Sequence, residues 1–137
     1  MSTESIEFIR KLVKELDRRH EPPDEFYAPD CQVYLMGNPP IPYREYKDLS
    51  KSFFAAFPDL VHGIDELIAD GDNVLLRMTV RATHKGEFMG VPATGKPVKY
   101  SGMVLWRVAN GKVTEFYSVF DQLALLGATG VVELPKG

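Results

Sequence analysis

The chain has 137 residues, 45% of them apolar and 26% charged, which is the make-up of one ordinary globular domain with one core. Its net charge of −3 argues against a nucleic-acid binder, which needs clustered positive charge. No run of apolar residues reaches membrane-spanning length, no cationic-then-apolar leader opens the chain, and the single cysteine, Cys31, has no disulfide partner, so a cytoplasmic location is expected.

In chain order, Ile6, Ile9, Leu12, Val13 and Leu16 fall on one face of an amphipathic helix, which Ser2 or Thr3 could cap. The prolines of "EPPDEFYAPD" end it. Cys31 to Met36 reads as a short strand closed by "GNPPIP", and Cys31 within it as a small buried residue. Tyr46, Leu49, Phe53 and Phe57 mark a second helix, stopped by Pro58. Four strands follow, at 60–69, 74–84, 98–109 and 112–120, the first two joined by "DGDN" and the last two by "NG". Alternation puts Val74, Leu76, Met78, Val80 and Ala82 on one face of the second of these, continuing to His84. In the third, the set Gly102, Val104, Trp106 and Val108 is read as inward. Helices first and antiparallel strands after them predict a single α+β domain over 1–137. It is expected to be cone-shaped, with a strongly curved, mainly antiparallel sheet wrapped around the N-terminal helices and enclosing a pocket.

One stretch of the connection 85–97, "GVPATGKP", imitates a phosphate loop in its two glycines and following lysine. The magnesium-holding hydroxyl is missing, because Pro97 stands there, and "VKYSGMVLWRV" after it is strand-like where a phosphate loop opens a helix. No nucleotide role follows. The three histidines, His20, His62 and His84, share no ligand spacing with one another or with Cys31, so no metal is expected. His20 lies near the C-terminal end of the first helix, and His62 has no partner that the sequence reveals.

The segments "AAFPDL", "IADGDNV", "ATHKGEFMGVPATGKPV", "GMVLWRVANGKVTE" and "FDQLALL" resemble, in that order, the SnoaL-like polyketide cyclases, relatives of nuclear transport factor 2 and ketosteroid isomerase. The likeness runs from Phe53 to Leu126 and is traceable back to Phe26. It implies a cofactor-independent enzyme that closes or isomerises a small hydrophobic, carbonyl-bearing ligand by acid/base chemistry. The domain is expected to form a homodimer through the open sheet face. A non-catalytic carrier using the same pocket is the alternative.

The resemblance also assigns the acid/base to Asp121 in "YSVFDQLALL". A carboxyl can take a proton from carbon and return it if desolvation raises its pKa, with Phe120, Leu123, Tyr117 and Trp106 as apolar walls. Asp121 also precedes "QLALL" directly, the position of an N-cap. Family members often carry a histidine where this chain has Tyr34, which could donate to an enolate oxygen but could not act as a base near neutrality. His84 completes the candidate catalytic set. Trp106, Tyr117, Phe57, Phe88 and Val104, with Tyr43 and Met103, are the candidate pocket walls, though such residues also make plain core.

Overall fold

The computed structural model describes residues 2–135. Helix α1 (Ser2–Arg19) is followed by a short 3-10 turn, then β1 (Tyr27–Leu35), β2 (Ile41–Pro42) and α2 (Tyr43–Ala56). The strands β3 (Val61–Asp70), β4 (Asn73–Thr83), β5 (Pro97–Ala109) and β6 (Lys112–Phe120) and a final helix α3 (Gln122–Thr129) complete the chain. The expected α+β architecture is present: one six-stranded sheet in the order β2-β1-β6-β5-β4-β3, mostly antiparallel. The exception is β1, which pairs with β6 in parallel.

Three of the strand pairs carry register shifts, between Tyr27 and Gln32, between Ile64 and Glu66, and between Arg107 and Val108. Each is an irregularity of the kind that bends a strand and increases its twist. Helix α1 lies in the concavity with Ile9, Leu12, Val13 and Leu16 all buried. That is the i, i+3, i+4, i+7 stripe of the sequence turned onto the sheet.

The ladder register settles which side chains face inward, because residues directly opposite one another share a face. One row runs His62–Val80–Tyr100, the next Ile64–Met78–Gly102–Phe120, and the next Leu76–Val104–Ser118–Leu35. The last joins Val74, Trp106, Phe116 and Val33, all at most 3% exposed. The inward set of β5 is therefore Gly102, Val104 and Trp106, as the alternation indicates. On the outer face a different row crosses five strands: Ile68, Leu75, Leu105, Tyr117 and Tyr34.

The connection 84–97 is a loop leading into a strand, and it is fastened at both ends. The N–H groups of Lys85 and Gly86 donate to the carbonyl of Ala56 at the end of α2. The His84 N–H donates to Lys96 O and the Gly95 N–H to His84 O. Its glycines Gly90 and Gly95 have φ of +83° and +72°, which suits residues without a Cβ.

Candidate active site

Between the concave face of the sheet, α1, α2 and α3 lies a cavity of about 580 Å³. Its buried walls include Leu16, Phe54, Leu60, Met78, Tyr100 and Leu125. Exposed residues mark the mouth: Asn38 after β1, Leu49 and Ser52 of α2, Met89 of the 84–97 loop, and Gln122. A smaller hollow of about 60 Å³ adjoins it and shares the walls Leu16, Tyr46, His62, Met78 and Ser118. Its remaining walls, Val13, Leu76, Val104, Trp106 and Phe116, are apolar and buried.

The shared walls carry the polar chemistry. His62 opens β3 on an inward row, and its Nδ1 lies 2.6 Å from Asp17 Oδ1. The His62 backbone N–H donates to the other carboxylate oxygen, Asp17 Oδ2, at 2.8 Å. Asp17 is one helical turn beyond Val13 and two beyond Ile9, so it continues the buried stripe of α1 as an acid. A carboxylate only accepts hydrogen bonds. Nδ1 therefore carries the shared hydrogen, and in the neutral form of the ring the lone pair falls on Nε2. Nε2 has no hydrogen-bond partner among the described residues. Both side chains are about four-fifths covered, at 20% and 17% exposure. The arrangement is an oriented base at the wall of an apolar cavity.

Tyr46, one turn into α2, lines both spaces. Burial pushes its phenol pKa upward, so the group stays protonated and can donate. Tyr100, on the His62 row, is shifted the same way for the same reason. No lysine or arginine lines either space. Among the described residues, no three His, Cys, Asp or Glu side chains are grouped as metal ligands.

The sequence-predicted residues are dispersed. Asp121 is exposed and caps α3, accepting from the Ala124 N–H at 3.0 Å. It does not line the cavity. Tyr34 stacks on Tyr117 with ring centres 4.3 Å apart, and both belong to the outer row of the sheet. Neither reaches the cavity, because each is one residue out of phase with the inward set. Leu123 and Met103 are exposed, at 58% and 46%. Tyr43 donates instead to Asp24 Oδ1 outside the cavity.

His84 is fully buried, but as an anchor of the loop: its Nδ1 sits 3.0 Å from Thr94 Oγ1 and its ring packs on Phe57 and Phe88. Its Nε2 is buried without a partner. Phe57 is core behind the cavity, 1% exposed, packing on Phe53 and Phe88. Phe88 does line the main cavity, and Trp106 and Val104 line the small hollow. Nothing near His62 in the sequence marks a partner for it. The partner exists, 45 residues away on another element, and the acid on α1's apolar stripe was the signal that pointed to it.

The residues 7–128 match the profile of the SnoaL-like polyketide cyclases. The chain belongs to that family. Among solved structures, AclR from Streptomyces galilaeus, a candidate hydroxylase, is 31% identical over 99% of this chain and 87% of its own, with a TM-score of 0.90. IdmH, a candidate polyketide cyclase from Streptomyces antibioticus, is 27% identical over 93% of this chain and 97% of its own, with a TM-score of 0.76. A SnoaL-like protein from Jannaschia sp. CCS1 is 22% identical over 98% and 96%, with a TM-score of 0.83, which speaks for the fold. No curated protein matches the chain. A candidate hydroxylase and a candidate polyketide cyclase thus share this fold.

Proposed function

We propose that the protein is a cofactor-independent acid/base enzyme acting on a small hydrophobic carbonyl compound, by intramolecular aldol closure or isomerisation. The observation that carries this reading is the His62–Asp17 pair at the cavity wall, with contacts of 2.6 and 2.8 Å. His62 Nε2 takes a proton from the carbon next to the carbonyl, and the electron pair moves to the oxygen as an enolate. Tyr46 donates a hydrogen bond to that oxygen. The enolate carbon then either attacks a second carbonyl, whose alkoxide takes the proton back from the imidazolium, or is reprotonated elsewhere along the conjugated system. In both cases the base returns to its starting state. Asp17 is a positioning residue that fixes ring and tautomer. General base catalysis of this kind contributes about 10²–10⁴-fold.

The test is exchange of α-protons for deuterium in small aromatic ketones and polyketide-like esters, followed by NMR. His62→Gln should lower the exchange rate by about 10²-fold or more while ligand still binds, and Asp17→Asn should lower it by disturbing the tautomer. Asp121→Asn should exchange like wild type. Loss of exchange in Asp121→Asn with His62→Gln active would return the role to Asp121. Binding without exchange in the wild type would leave a carrier.

We propose in addition that two copies associate through the outer face of the sheet. The supporting feature is the apolar row Ile68, Leu75, Leu105, Tyr117 and Tyr34, flanked by the exposed Met103 and Val119.

A further inference from the structure

Trp106 lies on an inward row of the sheet, 3% exposed, with its ring held against Phe116 at 4.8 Å between centres. Its indole Nε1–H is buried, and no group among the described residues accepts from it. Buried donors in folded proteins are almost always paired, with water where the protein itself offers nothing. Trp106 borders the small hollow, and so do two further groups with unused hydrogen-bonding capacity, the Ser118 hydroxyl and His62 Nε2. The other ring nitrogen of His62 is already committed, since Nδ1 meets Asp17 Oδ1 at 2.6 Å. One donor, one acceptor and one hydroxyl able to act as either thus face a single small space. About 60 Å³ of it is open to the centre of a water molecule, where about 10–15 Å³ is enough to hold one. Its walls carry no carboxylate, lysine or arginine, so a charged occupant would be buried unpaired, at high cost.

From these groups we infer that the hollow is a hydration site. It holds ordered water that accepts from Trp106 Nε1–H and, directly or through a second molecule, donates to His62 Nε2. The Ser118 hydroxyl supplies a further contact, and a buried water makes about three. Water suits the walls because it is small, neutral, and both donor and acceptor. An apolar occupant would leave the indole hydrogen and the imidazole lone pair unpaired. The consequence reaches the imidazole: Asp17 holds the ring from Nδ1 and the water holds it from Nε2, so both nitrogens are oriented. Trp106 on β5 is therefore a positioning residue for His62 on β3, acting through water. The inference stands on the walls of the hollow and not on the acid/base reading; a protein without α-proton exchange could still hold this water, and a dry hollow would leave that reading intact.

Trp106 is the single tryptophan of the chain, so its indole N–H gives one unambiguous resonance in the nitrogen-15-labelled full-length protein. Magnetisation transfer from water to that proton is measured in the laboratory frame and in the rotating frame. A bound water should give cross-peaks of opposite sign in the two experiments. Cross-peaks of the same sign, which report exchange of the N–H with bulk solvent, or no cross-peak at all, would overturn the inference. The signal should survive in Ser118→Ala and in Tyr46→Phe; its loss with either would assign it to a hydroxyl proton and overturn the inference as well. The link to the imidazole is read from the His62 ring nitrogens above the pH at which the ring is neutral. Trp106→Phe should move the Nε2 resonance toward that of an unbonded lone pair and leave Nδ1, on Asp17, in place. An unmoved Nε2 would show that no water joins the two residues. Should Trp106→Phe fail to fold, Val104→Leu narrows the hollow while keeping the indole, and should weaken the water cross-peak; an undiminished one would count against the hollow as the site.

Discussion

At the scale of single residues, parity along a strand decides who meets the ligand. Tyr117 and Ser118 are neighbours in sequence, yet Ser118 faces the junction of the two spaces and Tyr117 stacks on Tyr34 outside. Trp106, Val104 and Phe88 were legible as walls because alternation and apolar character are local properties. The Asp17–His62 contact was not, because the two residues come together only when α1 settles on β3. Asp121, which the family likeness offers as acid/base and its place before "QLALL" offers as an N-cap, is here exposed and tied to the Ala124 N–H. Asp121→Ala should therefore cost about 1 kcal/mol of folding stability through the lost cap and leave α-proton exchange unchanged, as checked by urea unfolding beside the exchange assay. A large loss of exchange in a fully folded Asp121→Ala protein would contradict this. Cys31 behaves as the sequence suggests for a buried residue, with its thiol pushed up to about 12 by desolvation.

At the scale of elements, the two long helices and the four long strands lie close to where periodicity and the "DGDN" and "NG" turns place them. The departures have physical causes. β1 starts at Tyr27, ahead of the apolar run, because Pro29 and Asp30 hide a strand whose pairing with β6 shifts between Tyr27 and Gln32. β2 is two residues long and exists through its pairing with β1, which no pattern within "GNPPIP" encodes. The 84–97 loop places Phe88 and Met89 at the cavity through its seat on α2. A Cβ at Gly86 would collide with the backbone carbonyl of Ala55 and come within 3.1 Å of Ala56 Cα. Gly86→Ala should accordingly destabilise the fold by about 1–3 kcal/mol and weaken ketone binding as Phe88 moves, measured by thermal unfolding and ligand titration. Unchanged stability and affinity would show that the seat is dispensable.

At the scale of the whole molecule, a curved sheet uses its two faces for different purposes. The concave face holds α1 and the cavity, and the convex face presents the cross-sheet row from Ile68 to Tyr34. Val119 is 51% and Met103 46% exposed in the neighbouring row, where β5 and β6 pair. If two copies meet there, Val119→Asp should convert the protein to a monomer, read by sedimentation velocity, with the ketone still binding. A wild type that sediments as a monomer at all concentrations would dismiss the association.

The sheet order carries one more consequence. The first strand made, β1, is completed by the last, β6, in parallel, across more than eighty residues of chain. During synthesis the ribosome therefore delivers β1 long before its neighbour exists. Val33 and Leu35 must wait, uncovered on that side, until the C-terminal strand emerges. Such distant pairings are slow to close, so the hollow beneath them is among the last parts of a nascent chain to take shape.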